Sequence, residues 1–123
     1  MNNMSIPIYG EGHNIRDWLY VQDHVEAIDV VFHNGLKGET YNIGANNEIS
    51  NLDLVNYICK ICTEKKYHPN PKNLITFVAD RPGHDQRYAI NFSKLQGQLL
   101  WRPRFNFETS LTATIDWYVA NYQ

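Results

Sequence analysis

The sequence has 123 residues, 43% of them hydrophobic, and its 11 basic and 13 acidic side chains give a net charge of −2 at pH 7. This size and composition predict one folded domain with a modest core, and the charge leaves no polybasic surface for nucleic acid or an anionic membrane. Because there is neither an apolar run of about 18 residues nor an amino-terminal signal pattern, we expect a cytoplasmic protein without a membrane segment.

The first predicted elements are an extended region, a strand and a helix. Residues 1–16 are rich in turn formers, and residues 18–21 are predicted to form a strand. Asp23 and Glu26 form an acidic variant of the capping box at the start of a helix, and the pair Asn34-Gly35 ends it. The apolar stripe of this helix, which we expect to face the core, consists of Val25, Ile28, Val31 and Phe32.

The middle of the chain continues the alternation of strands and helices. Residues 40–43 are predicted to form a second strand, and Ser50 caps a helix that runs to about Lys65. Cys59 and Cys62 have the C-x-x-C spacing of redox pairs, but both fall on the apolar side of this helix, so we interpret them as buried thiols. No second ligand pair lies at a zinc-binding spacing, and we predict no metal site.

The last part of the chain completes an α/β pattern. A loop over residues 67–73 precedes a third strand at 74–78, and a short strand at 88–90 and a short helix from Ser93 follow it. A final amphipathic helix spans roughly residues 107–121. This helix is expected to bury Leu111, Ile115, Val119 and either Trp117 or Tyr118. Because strands alternate with helices, the predicted fold class is α/β.

Two arginines flank predicted strands and are candidates for anion binding. Arg16 precedes the first strand and Arg81 follows the third. Ligands of α/β proteins bind at strand ends, where two guanidinium groups could hold a diphosphate through charge-assisted hydrogen bonds. Ordinary salt bridges are the simpler interpretation of these residues alone. The acidic neighbours available are Asp17 or Asp23 for Arg16, and Asp80 or Asp85 for Arg81.

Three further residues could contact a ligand. Tyr9, in a Pro-Ile-Tyr-Gly turn, could stack against a base or pack on the core. Asn51, at a helix start, could bind an anion beside exposed helix amides or merely cap the helix. His84, after Pro-Gly, could act in acid–base chemistry or form bonds within its own loop. The chain contains no dinucleotide fingerprint and no Tyr-x-x-x-Lys pair, so we predict no catalytic and no cofactor-binding residues.

Two segments resemble motifs of known enzymes. The pattern Arg16-Asp17-x-x-Tyr20-Val21-x-Asp23 resembles a motif of the extended short-chain dehydrogenase/reductase enzymes that act on nucleotide sugars. Residues 79–90, ADRPGHDQRYAI, resemble the dTDP-glucose 4,6-dehydratase family. Further similarities are PIYG at 7–10, GETYNIG at 38–44 and NLD at 51–53. The resemblance extends from about Pro7 to Asn121.

The resemblance implies that residues 1–123 form the small C-terminal substrate-binding domain of such an enzyme, without the Rossmann domain. In the family, the NAD-binding fold and the catalytic Tyr-x-x-x-Lys pair precede the matched region, so no cofactor is expected in this chain itself. The implied ligand is a dTDP-sugar, and the implied contacts are Pro7, Ile8 and Tyr9 at the thymine, Asn51 at the nucleotide, Arg16 and Arg81 at the diphosphate, and Asp80, Arg81, Pro82, Gly83 and His84 along the ribose and sugar. Given this resemblance, we favour ligand binding over salt bridges for both arginines.

Three functional hypotheses follow. The first is the substrate-binding part of an enzyme that converts dTDP-glucose to dTDP-4-keto-6-deoxyglucose, inactive alone. The second is a complementing fragment that becomes active when a separate chain supplies the NAD-binding domain. The third is an interaction module without a working ligand site, which self-associates through the apolar face left by the absent domain.

Overall fold

Residues 3–122 are described by the computed structural model, and short strands alternate with helices along them. The elements are β1 (Ile6–Tyr9), β2 (Ile15–Asp17), α1 (Val21–Asn34), β3 (Glu48–Ser50), α2 (Asn51–Glu64), β4 (Ile75–Val78), α3 (Ser93–Leu99) and α4 (Phe107–Asn121), with a 3₁₀ turn (Pro71–Leu74) before β4. The α/β pattern is therefore confirmed. No helix in this described range is long and apolar enough to cross a membrane.

The strands form two separate pairs. β1 runs parallel to β4, with Tyr9 opposite Val78, and β2 runs antiparallel to β3, with Ile15 opposite Ser50. The chain between β1 and β2 therefore leads from one pair to the other. Because β1 and β4 are parallel, their carboxyl ends and the loops that follow them lie at the same edge.

The main core lies between α1 and α3. Its fully enclosed residues are Ala27, Phe92, Leu95 and Trp101, and half-buried apolar side chains of α1 and of the segment 41–43 pack around them. The rings of Phe92 and Trp101 meet edge to face, with centroids 5.8 Å apart. Aromatic pairs in this arrangement contribute about 0.5–1.5 kcal/mol beyond the area that they bury.

α2 and α4 begin and end close to where the sequence predicts. The Ser50 hydroxyl accepts a hydrogen bond from the Asp53 amide at 3.1 Å, as expected for a helix cap. Cys59 and Cys62 are free thiols, only 1% and 3% exposed, so the prediction of buried helix cysteines is confirmed. Burial raises the pKa of both thiols, which keeps them protonated and unreactive.

The strand predicted at 18–21 is wrong. The strand pairing ends at Asp17, and Val21 already begins α1. Asp23 does not cap the helix. It lies in the first turn, only 1% exposed, where its carboxylate accepts hydrogen bonds from the backbone amides of Arg104 and Phe105 at 2.9 and 3.4 Å. The Asp23 carboxylate thus binds the backbone of a loop that is distant in the sequence, a contact that the local sequence does not reveal.

The strands predicted at 40–43 and 88–90 are also absent from the described part of the chain. Residues 40–43 find no strand partner there, although Tyr41 and Ile43 pack on the core. Near the second segment, only an isolated bridge joins Ile15 to Arg87. Alternating apolar residues favour an extended chain, but a strand also requires a neighbouring strand for its amides and carbonyls.

The predicted apolar stripe of α1 is largely exposed. Val25, Ile28 and Phe32 are 59%, 52% and 83% exposed, whereas the helix turns Ala27, Val30 and Val31 towards the core. On α4, Ile115 is buried, and Leu111 and Val119 are half-buried as expected, but Trp117 and Tyr118 are exposed, against prediction. Both helices therefore present apolar residues to solvent.

Candidate ligand-binding site

The end of β1 lies directly against the loop that follows β4. The Gly10 amide donates a hydrogen bond to the Val78 carbonyl at 2.9 Å, extending the parallel pairing by one residue. Gly10 has a φ of +56°, and a Cβ at this position would lie 3.2 Å from Asp80 Oδ2. Glycine thus permits both the turn and the close approach of Asp80.

A second glycine brings the start of α2 against the same turn. Gly12 has a φ of +75°, and a Cβ there would lie 2.8 Å from Ile8 Cγ2 and 2.9 Å from Leu52 Cβ. The Gly12 carbonyl accepts a hydrogen bond from the Leu52 amide at 3.0 Å. A larger residue at Gly12 would separate β1 from α2.

The loop after β4 is closed by an aspartate–histidine pair. Asp80 Oδ1 accepts hydrogen bonds from His84 Nδ1 at 2.7 Å and from the Arg81 amide at 2.9 Å. An ionised carboxylate only accepts, so the proton lies on Nδ1. The hydrogen bond from His84 is the main reason that the pKa of Asp80 is lowered. The His84 side chain is 6% exposed and meets the Tyr9 ring edge on, with centroids 6.2 Å apart.

Arg16 is held by the segment that continues this loop. Its Nη1 donates to the Ile15 carbonyl at 2.7 Å and its Nη2 to the Asp85 carbonyl at 3.0 Å. The guanidinium carbon lies 4.5 Å from the centroid of the Tyr88 ring, a cation–π contact. Arg16 makes no salt bridge within residues 3–122.

The acidic partners considered for Arg16 are engaged elsewhere. The Asp17 carboxylate accepts hydrogen bonds from the amides of Ala45 and Asn47 at 2.9 and 2.8 Å, and Asp23 holds the loop before α4. The salt-bridge interpretation of Arg16 is therefore wrong.

Arg81 likewise makes no salt bridge among the described residues, although its charge contributes to the lowered pKa of Asp80. Asp80 is bonded to His84, and Asp85 Oδ2 accepts a hydrogen bond from the Tyr88 hydroxyl. That bond to Asp85 is the main reason that the pKa of Tyr88 is raised, and the positive charges of both Arg16 and Arg81 oppose the rise.

The remaining residues predicted to contact the ligand differ in their exposure to solvent. Pro7 is exposed and Tyr9 half exposed, whereas Ile8 is 4% exposed and points into the interior, as expected for alternation along a strand. Pro82 and Gly83 lie exposed in the loop after β4.

Asn51 begins α2, but the helix amides beside it are not free. The amides of Asn51 and Leu52 donate to the carbonyls of Asn14 and Gly12, both at 3.0 Å, and the Asp53 amide donates to Ser50. The predicted exposed amides at this helix start are therefore wrong. Only the half-buried side chain of Asn51 remains a candidate contact.

The sequence alone did not identify Asn14 or Tyr88 as parts of this site, and it indicated Asp85 only as a possible salt-bridge partner of Arg81. Asn14 Nδ2 donates to the Asp85 carbonyl at 3.2 Å, beside the bond from Arg16. The signal for Tyr88 lay in the extended segment predicted at 88–90. Aligning that segment beside β2 would have placed Tyr88 next to Arg16.

No group of three histidine, cysteine or acidic side chains that could hold a metal ion occurs in the part of the chain that the structure describes. The polar side chains described above, which come from β1, from β2 and from the segment after β4, are instead two arginines, two tyrosines, a histidine and two aspartates. Such a set is suited to binding an anion that also carries a ring and hydroxyl groups.

A family model described as GDP-mannose 4,6 dehydratase matches residues 1–114. The chain belongs to this family. One relative of this chain is the dTDP-glucose 4,6-dehydratase of Salmonella typhimurium. The two sequences are 50% identical over 119 residues, which cover 96% of this chain and 33% of the relative. A probable dTDP-glucose 4,6-dehydratase of Sinorhizobium fredii is 47% identical and is covered to 35%. The chain thus spans about a third of the length of the relatives it matches.

Solved structures of similar proteins agree with this family assignment. A dTDP-glucose 4,6-dehydratase from Bacillus anthracis, in complex with NAD, is 45% identical with a TM-score of 0.84, over 96% of this chain and 35% of that one. DesIV, the dTDP-glucose 4,6-dehydratase of Streptomyces venezuelae with NAD and TYD bound, is 32% identical with a TM-score of 0.88, over 98% of this chain and 35% of its own. A UDP-glucose 4-epimerase from Thermotoga maritima, at 23% identity and a TM-score of 0.83, shares the fold.

These comparisons confirm the resemblance drawn from the two motifs. The fold corresponds to the C-terminal third of extended short-chain dehydrogenase/reductase enzymes.

Proposed function

We propose that residues 1–123 form the dTDP-sugar-binding part of a dTDP-glucose 4,6-dehydratase, the enzyme that converts dTDP-glucose to dTDP-4-keto-6-deoxyglucose. The observation that carries the proposal is the placement of Arg16 and Arg81. Arg16 lies 4.5 Å from the centroid of the Tyr88 ring, Arg81 follows in the loop after β4, and neither makes a salt bridge among the described residues. Two such guanidinium groups supply the charge and the paired donors that a diphosphate requires.

The other side chains are assigned by their chemistry and their position. Tyr9, at the end of β1, and the neighbouring Pro7 offer an apolar surface on which a thymine ring can lie. The Asn51 side chain is assigned to the nucleotide. Asp80 and His84, next to Tyr9, offer hydrogen-bonding groups for the ribose and sugar hydroxyls.

The chain is proposed to be inactive by itself. The reaction requires NAD, and neither a cofactor fingerprint nor a Tyr-x-x-x-Lys pair occurs in the sequence. The two buried thiols fit a reducing compartment such as the cytoplasm. The remainder of the enzyme is proposed to supply the cofactor and the catalytic base, and to be the partner of this domain.

Isothermal titration with dTDP tests the proposal, with UDP and GDP as controls for the base and inorganic pyrophosphate as a control for the diphosphate. We expect saturable binding of dTDP, weaker binding of pyrophosphate, and a preference over GDP because the site at Tyr9 is assigned to a pyrimidine. An absence of heat with millimolar dTDP would contradict a ligand site in this chain.

An association function is the second candidate, because the structure exposes large apolar side chains on α1 and on α4. Val25, Ile28 and Phe32 on α1 are more than half exposed. A groove of about 650 Å³ between the start of α1 and α4 is lined mainly by large apolar side chains, among them Trp18, Tyr20, Leu54, Phe107, Trp117 and Tyr118. Exposed surfaces of this kind mark sites of protein association.

Two measurements separate the forms of association. If the surface binds a second copy, light scattering should show a dimer that Phe32→Glu dissociates, whereas a strictly monomeric species would contradict self-association. If the chain instead complements a separate NAD-binding chain, mixing the two with dTDP-glucose should yield the keto-sugar product. No product from the mixture would remove the complementing-fragment hypothesis.

A further inference from the structure

The Arg16 side chain makes three contacts within the chain. Two of its five N–H donors are used internally, one on the Ile15 carbonyl and one on the Asp85 carbonyl. One face of the guanidinium group is covered by the Tyr88 ring. Three N–H groups of the guanidinium therefore remain available to another acceptor. The contacts with Ile15, Asp85 and Tyr88 orient the group that carries them.

Tyr88 is itself held by hydrogen bonds. Its ring is 50% exposed, so burial alone does not fix it. Its hydroxyl donates to Asp85 Oδ2, and its amide donates to the Ile15 carbonyl at 3.0 Å. Arg16, Asp85, Tyr88 and Ile15 thereby form one closed network, in which Asp85 receives Arg16 on its carbonyl and Tyr88 on its carboxylate.

We infer that Tyr88 and Asp85 are positioning residues that hold the Arg16 guanidinium in the orientation required to bind a diphosphate. The inference rests on the proposed function and adds two residues that act through Arg16. A free arginine side chain loses rotamer freedom when it binds a ligand, and a side chain ordered beforehand loses less. Tyr88 and Asp85 thus improve affinity through Arg16, without a contact of their own to the phosphates.

The first test is a double-mutant cycle on dTDP affinity. Tyr88→Leu removes the stacking ring and should weaken dTDP binding roughly two- to fivefold, the range expected for an exposed cation–π contact. Tyr88→Phe keeps the ring but loses its hydrogen bond to Asp85, so it should recover only part of the affinity that Tyr88→Leu loses. In an Arg16→Gln background, Tyr88→Leu should cause no further loss. Tyr122→Leu, at an exposed tyrosine on the end of α4, is the matched control and should leave affinity unchanged.

The second test needs no ligand. NMR relaxation of the Arg16 Nε–H group should report an ordered side chain in the unaltered protein, and Tyr88→Leu should make it mobile. Asp85→Ala keeps the carbonyl that accepts from Arg16 but releases the Tyr88 hydroxyl, so it should increase the mobility to a smaller extent. The melting temperature of each variant separates this local effect from a general loss of fold.

The outcomes distinguish this inference from the proposed function. If Tyr88→Leu weakens dTDP binding equally in both backgrounds, Tyr88 contacts the ligand directly and the inference is overturned. An Arg16 Nε–H group that is equally ordered with and without Tyr88 also overturns it. If the unaltered chain binds no dTDP, the proposed function fails, and the relaxation measurement still decides whether Tyr88 and Asp85 order Arg16.

Discussion

His84 Nδ1 donates a hydrogen bond of 2.7 Å to the Asp80 carboxylate, and this bond closes the loop after β4. The same segment continues to Asp85 and Tyr88, which contact the Arg16 guanidinium group. His84 is enclosed although its loop is exposed, because the Tyr9 ring and Asp80 cover it. The relationship between Asp80 and His84 therefore connects the end of β1 with the candidate diphosphate site.

The first prediction concerns the titration of Asp80. Its pKa is lowered below the ordinary 3.8, chiefly by the hydrogen bond from His84. A carboxylate with a lowered pKa stabilises the fold above the ordinary value, and this contribution is lost as pH falls through the folded value. Carbon-detected NMR titration should show that His84→Ala raises the Asp80 pKa. His33→Ala is the control, and an unchanged midpoint in His84→Ala would contradict the assignment.

The second prediction concerns the two arginines. Arg16→Ala and Arg81→Ala should each weaken dTDP binding by about 1.5–3 kcal/mol, since each removes charge-assisted phosphate contacts. Arg102→Ala, at an exposed arginine on the loop before α4, is the matched control for lost charge. Titration calorimetry gives the affinities and thermal melting the stabilities. A variant that lowers the melting temperature but binds dTDP normally would show that its arginine has only a structural role.

The third prediction concerns Asp23. Asp23→Ala should lower the free energy of unfolding by roughly 1–3 kcal/mol, because the amides of Arg104 and Phe105 lose their acceptor in a closed environment. Asp23→Asn keeps one oxygen acceptor and should cost less. Urea denaturation measures both variants. Equal losses in the two would indicate that the carboxylate charge, and not its hydrogen bonding, stabilises this region.

The fourth prediction concerns the thiols in α2. Both have raised pKa values because of burial, so alkylation of the folded protein should be slow and should become rapid on unfolding. Cys59→Ala and Cys62→Ala should each lower stability by about 1 kcal/mol through lost packing, whereas reductants should have no effect. Mass spectrometry of the unreduced protein decides this point, and a deficit of two hydrogens would show a disulfide.

The fifth prediction concerns catalysis. Incubated alone with dTDP-glucose and NAD, the chain should form no 4-keto-6-deoxy sugar. Hydride transfer requires the nicotinamide within about 3–3.5 Å of the reacting carbon, and the sequence supplies no cofactor fingerprint. Product analysis by mass spectrometry tests this expectation. Turnover that His84→Ala abolishes would contradict it and would make His84 a catalytic residue.

The sequence alone predicted those features that depend on neighbouring residues in the chain. The cap at Ser50, the apolar side of α2 with its two cysteines, and the strand before Asp80 all follow from local patterns. The two arginine motifs likewise identified the family and directed attention to β2 and to the loop after β4. Helix caps and apolar periodicity depend on residues only a few positions apart. A short stretch of sequence is therefore enough to predict them.

Tertiary structure decided everything that depends on which partner a group finds. The periodicity of α1 marks an apolar stripe, but only packing shows that Ala27 and Val31 face the core while Phe32 does not. Arg16 has several aspartates near it in the sequence, yet it stacks on Tyr88, which lies 72 positions further along the chain. Burial and hydrogen-bond partners are set by distant segments competing for the same groups. The sequence therefore determined which chemical groups are available, and only the tertiary structure determined which of these groups contact one another.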